Sequence, residues 1–372
     1  MKLPIRARII PFILNRRINI CNYQRIMPSN RQIATNKRKA SEDDHDEAGS
    51  TSNVKKVKPP PKSIKSGGAS TTREGFAENG QPTNKTIPTE IHFPEKNADS
   101  VRIASWNVSG LAASLKKGFA SYVEAEEADI LILTETKTNE ETTVEVLKKR
   151  YPHKYWAIAS KKGYAGTAVF SKFEALSVTK DLPGHPDESA VSGRIVTLEF
   201  EKFYLIATYV TNAGQNLKTL KEKETWNEHF EQYVRDLDAK KPVIWVGDVN
   251  VAPTEKDLTH AKRNWNKTPG YTESETKAFA RILDPSFESK ESKEKENSQK
   301  LIDVWRHLHP DDQHYTYFSY RFDCRSKGLG WRLDMFVLSE RLLDNVKMCE
   351  IRSEIYGASD HCPVVMEISG LL

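Results

Sequence analysis

The chain has 372 residues, of which 29% are charged, and a formal net charge of +5. That length holds one large domain or two smaller ones. No apolar run approaches the roughly 18 residues of a membrane span, and four cysteines (Cys21, Cys324, Cys349, Cys362) without CxxC or metal spacing point to a reducing compartment and against a disulfide scaffold.

The positive charge is uneven. Residues 1–97 carry 18 Lys/Arg against 9 Asp/Glu, whereas residues 98–372 carry 38 against 42. A nucleic-acid role for the larger part therefore needs a local basic face, not a net charge. Residues 1–41 hold ten Lys/Arg and no acid. Ile9–Leu14 is too short for a secretory core, and the Arg-rich, acid-free composition is that of a mitochondrial transit peptide or of a plain basic tail. Pro11 opposes the helix that a transit peptide needs, and Met27 offers a second start. Lys37-Arg38-Lys39 and Lys55-Lys56-Val57-Lys58 are short basic clusters of the kind used for nuclear import or nucleic-acid contact. The expected compartment is the nucleus, with a mitochondrial form through the N-terminus. Polar composition predicts a disordered tail over 1–98 and a folded domain over 99–372.

From Val101 strand-like runs recur at 101–106, 129–134, 167–171, 194–200, 203–210, 242–248, 332–338 and 363–368. Between two of them, Leu220, Trp226, Phe230, Tyr233, Val234 and Leu237 recur at helical spacing over 217–238. Short turns join some strands and helices join others, which predicts mixed sheets. The expected class is α/β, with two sheets packed face to face and helices outside. The charged stretch 288–300 reads as an exposed loop or helix extension.

Six of the eight runs carry chemistry at or beside an end. Asn107 follows Trp106, Glu135 follows the 129–134 run, and Tyr209 and Asn212 end the 203–210 run. Asp248 and Asn250 follow Val246, Asp334 follows Leu333, and Ser359-Asp360-His361 precede the last run. One polar strand end is ordinarily a cap or turn. Several rich in Asn, Asp, Glu and His, brought to one sheet edge, make a cleft. With no nucleophile elbow, phosphate-cradling glycine loop or zinc spacing, the oxygen ligands suit a hard cation such as Mg²⁺. Asp accepts a proton from water, and His donates to a developing phosphorane oxygen. These are the parts of metal-assisted phosphodiester hydrolysis without a covalent intermediate. If strand geometry continues through Val249, Asp248 and Asn250 point to one face.

SWNVSGL, ILTETK, TYVTNAG, GDVNVAP, GWRLD and SDHCPV follow in order. In these motifs the chain resembles the exonuclease III family of abasic-site endonucleases, animal-type branch, within the DNase I-like superfamily, from Val101 to the C-terminus. The resemblance implies a four-layer α/β sandwich of the endonuclease/exonuclease/phosphatase fold. It implies cleavage 5′ to abasic sites in duplex DNA during base excision repair, with accessory 3′ phosphodiesterase and 3′–5′ exonuclease activity. It implies Mg²⁺, with Mn²⁺ as substitute, bound by Glu135 with Asn107, Asp360 and Ser109 nearby. Asp248 would activate water positioned by Asn250 and Asn212. His361, oriented by Asp334, would contact the phosphate, and Tyr209 would donate to it. Asn264, Gln215, Trp331, Leu333 and Tyr317 would meet DNA or the base-less sugar, which is cheap to flip because nothing stacks on it. The partner is abasic duplex DNA, and repair proteins would reach the tail. A monomer with no membrane association is expected.

The chain departs from the family pattern at a few positions. Ser109 stands where the family has Asp or Asn, which removes a charge near the metal. Gln215 replaces a groove-reaching arginine, Ala112 replaces a basic residue, and Tyr317 replaces Phe. Ala104 and Ile132 stand where the animal redox cysteines would be. Lys116-Lys117, Lys161-Lys162, Lys262-Arg263, Lys267 and Arg325-Ser326-Lys327 are expected phosphate contacts in loops around the site. Two other readings are a different DNase I-like phosphodiesterase and a DNA-binding protein with a decayed site.

Overall fold

The computed structural model describes residues 74–287 and 300–371. The basic clusters near the N-terminus, Met27, Cys21 and the charged run 288–299 lie outside the described residues. Among the described residues, twelve strands build two six-stranded sheets. The first contains β1 (Ser100–Asn107), β2 (Ile130–Thr134), β3 (His153–Ala157), β4 (Thr167–Ser171), β11 (Val346–Ile351) and β12 (Val364–Ser369), in the order β11-β12-β1-β2-β4-β3. The second contains β5 (Ser177–Thr179), β6 (Ile195–Glu199), β7 (Tyr204–Tyr209), β8 (Val243–Asp248), β9 (Leu301–Asp303) and β10 (Asp334–Ser339), in the order β5-β6-β7-β8-β10-β9.

Each sheet has one parallel pair at its centre, β1 with β2 and β7 with β8, and antiparallel neighbours elsewhere. Central strands are apolar on both sides because both sides are covered. The facing sides, with Ile103, Ile132, Val169, Leu205, Val246 and Phe336, fill one core between the sheets. Outside the second sheet lie helices Leu220–Asp238 and Glu273–Leu283, whose Trp226, Phe230 and Phe279 pack on Trp245. Outside the first lie helices Phe119–Glu126 and Glu145–Arg150, with Phe119, Tyr122 and Leu147 on Trp106 and Phe170. The result is the expected four-layer sandwich.

The parallel pairs position the site. Parallel strands deliver their C-terminal ends to the same edge, so Asn107 lies beside Thr134 and Tyr209 beside Asp248. The antiparallel neighbours deliver their N-terminal ends there. Asp334, first in β10, pairs with Asp248, and β12 starts beside β1 just after His361.

Residues 74–98 correct the tail boundary. They lack periodicity but pack on the domain. Gln81, 1% exposed, donates to Tyr315 O (2.9 Å) and Ser353 Oγ (2.8 Å) and accepts from Tyr315 N (2.8 Å). Ile87, Ile91 and Phe93 cover the outer face of the first sheet. Turn residues and one buried amide anchor this segment, which is why hydrophobic patterning misses it.

Gly247 is the tightest point between the central strands of the second sheet. Its φ is 135°, and a Cβ there would lie 2.1 Å from Thr208 O. Gly247→Ala is expected to lower stability by about 3 kcal/mol through strain and overpacking. Urea unfolding measures it, and an unchanged midpoint at constant slope would show that the strands part freely.

Candidate active site

Thirteen of the residues singled out above are either in the lining of one cleft or directly beneath it. The cleft, about 590 Å³, is lined by Ser109, Glu135, Tyr209, Asn212, Asp248, Asn250, Asn264, Tyr317, Trp331, Leu333, Asp360 and His361, among others. Asn107, fully buried, lies under them. Its Nδ2 donates to Glu135 Oε1 (3.0 Å) and to Asp248 Oδ2 (2.9 Å), while its Oδ1 accepts from Ser109 N (2.9 Å). In this arrangement Asn107 bridges two carboxylates through Nδ2, and its Oδ1, turned to Ser109 N, keeps one lone pair.

Asp248 is 1% exposed. Burial and then the nearby Asp334 carboxylate push its carboxyl up to about 7, against the opposing pull of His361 and Asn107. Its Oδ1 accepts from Asn250 N (2.9 Å). Strand geometry does not continue through Val249 as expected. β8 stops at Asp248 and Asn250 has φ 52°, so a left-handed turn brings the two together. The Asn250 side chain is pinned, its Nδ2 donating to Val210 O (2.9 Å) and its Oδ1 accepting from Asn212 Nδ2 (3.0 Å).

Beneath this turn sits a group that sequence reading missed. Lys223, fully buried on helix Leu220–Asp238, donates from Nζ to Val249 O (2.8 Å) and Asn250 O (3.2 Å). Burial pulls its ammonium down to about 8 despite Glu275 and Asp248. The signal was a lysine three residues before Trp226, on the helix's apolar face.

His361 joins the other sheet. Its Nδ1 lies 2.7 Å from Asp334 Oδ2. Burial disfavours the imidazolium, but Asp334, Asp248 and Asp360 outweigh it and hold the ring up to about 10, so it is a proton donor at neutral pH. Thr316, also missed, accepts from Leu333 N (3.0 Å) and Asp334 N (3.1 Å) and donates to Asp334 Oδ2 (2.6 Å). No single-residue signal in the sequence marks it. Asp334 Oδ1 is buried without a partner among the described residues.

Tyr209 stays protonated, since burial and then Glu135 and Asp248 raise its hydroxyl well above the usual range. The Arg194 guanidinium sits over its ring at 4.9 Å. Burial opposes ionisation of Glu135, but Lys137 (2.8 Å) and Asn107 keep it below the ordinary carboxylate range. Ser109, Glu135, Lys137 and Asn250 all have φ between 48° and 53°. Left-handed non-glycine residues are costly and concentrate at functional sites.

A cation fits this donor set. Ligand-type atoms of Glu135, Asp248 and His361 lie within 4.8 Å of one another, and the crowding that raises Asp248 is what a cation relieves. Of the three, the two carboxylates are the hard oxygen donors, and His361 Nδ1 is already engaged by Asp334. Asp360 is on the cleft wall but not in that cluster.

Other expectations divide. The Tyr317 ring stacks at a tilt 4.9 Å from His361, and its hydroxyl is partnered by Ser319. Asn264 is on the wall, held by Thr259, His260 and Thr268. Gln215 is exposed in a 3₁₀ turn away from the cleft lining. Arg325 is no phosphate contact. It is 2% exposed and its guanidinium is spent on Asn84, Ser353 O and the rings of Phe318 and Tyr356. It fastens the 74–98 segment instead.

Comparison with known proteins places this architecture. The family model "Endonuclease/Exonuclease/phosphatase family" matches residues 104–361. The "DNA repair nuclease APEX1" of Danio rerio is 38% identical over 283 residues, covering 75% of this chain and 86% of that protein. The "Exodeoxyribonuclease" of Bacillus subtilis is 39% identical over 271 residues, covering 72% of this chain and all of the relative (100%). Among solved structures, the AP endonuclease LMAP from Leishmania major superposes with a TM-score of 0.58 at 25% identity, covering 75% of this chain and 93% of that one. The chain belongs to the endonuclease/exonuclease/phosphatase family, in the exonuclease III branch that contains the abasic-site endonucleases.

Proposed function

We propose that this protein is a DNA repair endonuclease that hydrolyses the phosphodiester 5′ to an abasic site in duplex DNA, leaving a 3′-hydroxyl and a 5′-deoxyribose phosphate. The observation that carries this reading is the convergence of Asp248, the Asp334–His361 pair, Glu135 and Tyr209 on one cleft whose wall includes Trp331, Leu333 and Tyr317. The three apolar walls suit a sugar without a base. Abasic nucleotides enter such a pocket most cheaply because no stacking is lost.

Asp248, ionised, takes the proton of the attacking water. Asn250 and Asn212 fix the turn that aims it. His361 donates to a non-bridging phosphate oxygen, and Tyr209, held protonated, donates to another. Glu135 would hold a divalent cation, with Asp248 close enough to share it. That cation is Mg²⁺ by the hardness of the oxygen donors, with Mn²⁺ as substitute, and it would supply charge neutralisation of the phosphate. One chain provides every group named, so the reading needs no residue from a partner subunit.

The full chain is expected to incise a duplex bearing one tetrahydrofuran abasic analogue in Mg²⁺ and to leave it intact in EDTA. Asp248→Ala is expected to slow incision by about 10²–10⁴-fold, the usual worth of a positioned base. No incision by the wild type, or an undiminished rate in the variant, would remove the reading.

The sign of the pH dependence follows from the raised Asp248 carboxyl. A base with a raised value is protonated, and lost, as pH falls through it. At limiting metal, kcat/KM is expected to fall below about pH 7, and saturating metal is expected to move that limb to lower pH by favouring the anion. A flat profile from pH 5 to 8 would rule out Asp248 as the base.

Ser109 has φ 48° and lies on the cleft wall. Asp tolerates that backbone better than Ser and adds a charge. Ser109→Asp is therefore expected to lower the Mg²⁺ concentration giving half-maximal activity, and to tighten Mn²⁺ binding read by electron paramagnetic resonance. No change in either would show that the position does not sense the cation.

A further inference from the structure

One exposed aromatic has no part in the site described above. Trp265 is 39% exposed, directly after the short helix Ala261–Asn264. A single exposed tryptophan is unremarkable by itself, but three features set this one apart.

The first is its support. The Trp265 ring meets Tyr271 edge-on at 4.9 Å, and Tyr271 meets Trp331 edge-on at 6.5 Å. Trp331 lines the catalytic cleft. A file of three rings thus runs from the cleft wall to the open rim.

The second is rigidity. Asn266, with φ 55°, donates from its backbone to Tyr271 O (3.1 Å), and its side chain accepts from Glu273 N (2.7 Å). Asn264, Thr268 and Pro269 on either side are themselves cleft wall. Trp265 is held by the same segment that bounds the site.

The third is charge. Lys262, Arg263 and Lys267 lie within three residues of Trp265 in the chain, all exposed, and no ion pair with a described carboxylate is formed by any of them. An aromatic surface among unneutralised cations is the chemistry that binds a nucleobase together with its phosphates.

An intact duplex keeps its base faces covered by neighbours. A face is open only beside a missing or extruded nucleotide, at a gap, or at an end. Resting on the reading of the cleft as an abasic-site nuclease, we propose that Trp265 is a stacking site for a nucleobase left unstacked next to the lesion. Lys262, Arg263 and Lys267 hold the phosphates of that strand, and the ring favours damaged over intact duplex at the binding step.

The test uses the full-length protein in EDTA, so that no cleavage occurs, with wild type, Trp265→Ala, Trp265→Tyr and Lys262→Ala/Arg263→Ala. Fluorescence anisotropy gives Kd for a tetrahydrofuran duplex and for the intact duplex of the same sequence. Trp265→Ala is expected to weaken the tetrahydrofuran duplex about tenfold and the intact duplex by less than about twofold, the range of one base–aromatic stack. Trp265→Tyr is expected to restore most of the loss. The double charge variant is expected to weaken both duplexes alike and to reduce the salt slope. Equal weakening of both duplexes by Trp265→Ala, unchanged affinity for the tetrahydrofuran duplex, or no recovery in Trp265→Tyr would overturn the proposal. Wild-type incision of the same duplex in Mg²⁺ is scored separately. Its absence would remove the functional reading, while the binding ratio alone decides the role of Trp265.

Discussion

Two hydrogen bonds across the seam between the sheets make the site possible. Asn107, at the end of β1, donates to Asp248 at the end of β8, and His361, just before β12, pairs with Asp334 at the start of β10. Each bond has one partner in each sheet. Neither sheet alone holds a complete set of groups, so the chemistry depends on how the two sheets are packed. The core of Ile103, Ile132, Leu205, Val246 and Phe336 sets that packing. The central parallel pairs then bring the polar ends to one edge.

The electrostatics follow from this burial. Asp248, Asp334 and Glu135 crowd carboxylates into a region nearly closed to water, and their mutual repulsion has to be met locally. Lys223 lies below, Lys137 beside Glu135, and the His361 imidazolium between Asp334 and Asp248. A second buried charge cluster braces the opposite wall. Arg332, fully buried, binds Asp303 through both terminal nitrogens (3.0 and 2.7 Å) and Asp257 through Nε (2.7 Å). Arg332 lies between Trp331 and Leu333 in the chain, so this network fixes the backbone that carries two residues of the cleft wall. Removing one partner of such a network costs far more than the network adds to stability over an apolar replacement.

How much of this the sequence disclosed has a physical pattern. The eight runs identified from hydrophobicity became β1, β2, β4, β6, β7, β8, β10 and β12. The four strands that were missed, β3, β5, β9 and β11, are the edges of the two sheets. Edge strands are covered on fewer sides, so His153, Lys154, Ser177 and Lys347 need not be apolar and the pattern fades. The site was legible where a polar residue ended a doubly buried strand, as at Asn107, Glu135, Tyr209 and Asp248. It was illegible where function rests on tertiary contact. Thr316 and Lys223 reach backbone or carboxylates far away in sequence, and Arg325 looked like a surface cation but is buried. Asn250 was correctly placed beside Asp248 for the wrong reason, since a left-handed turn and not the strand pleat brings it there.

The central claim is that water, deprotonated by Asp248, attacks the phosphate directly. It is tested by the stereochemistry of single-turnover cleavage. An abasic duplex carrying a phosphorothioate of known configuration at the scissile linkage is incised in ¹⁸O-labelled water, and the configuration of the 5′-phosphorothioate product is read. The account expects one ¹⁸O at phosphorus with inversion, as a single in-line displacement requires. Retention of configuration would mean two displacements through a covalent enzyme intermediate, and would contradict the role given to Asp248.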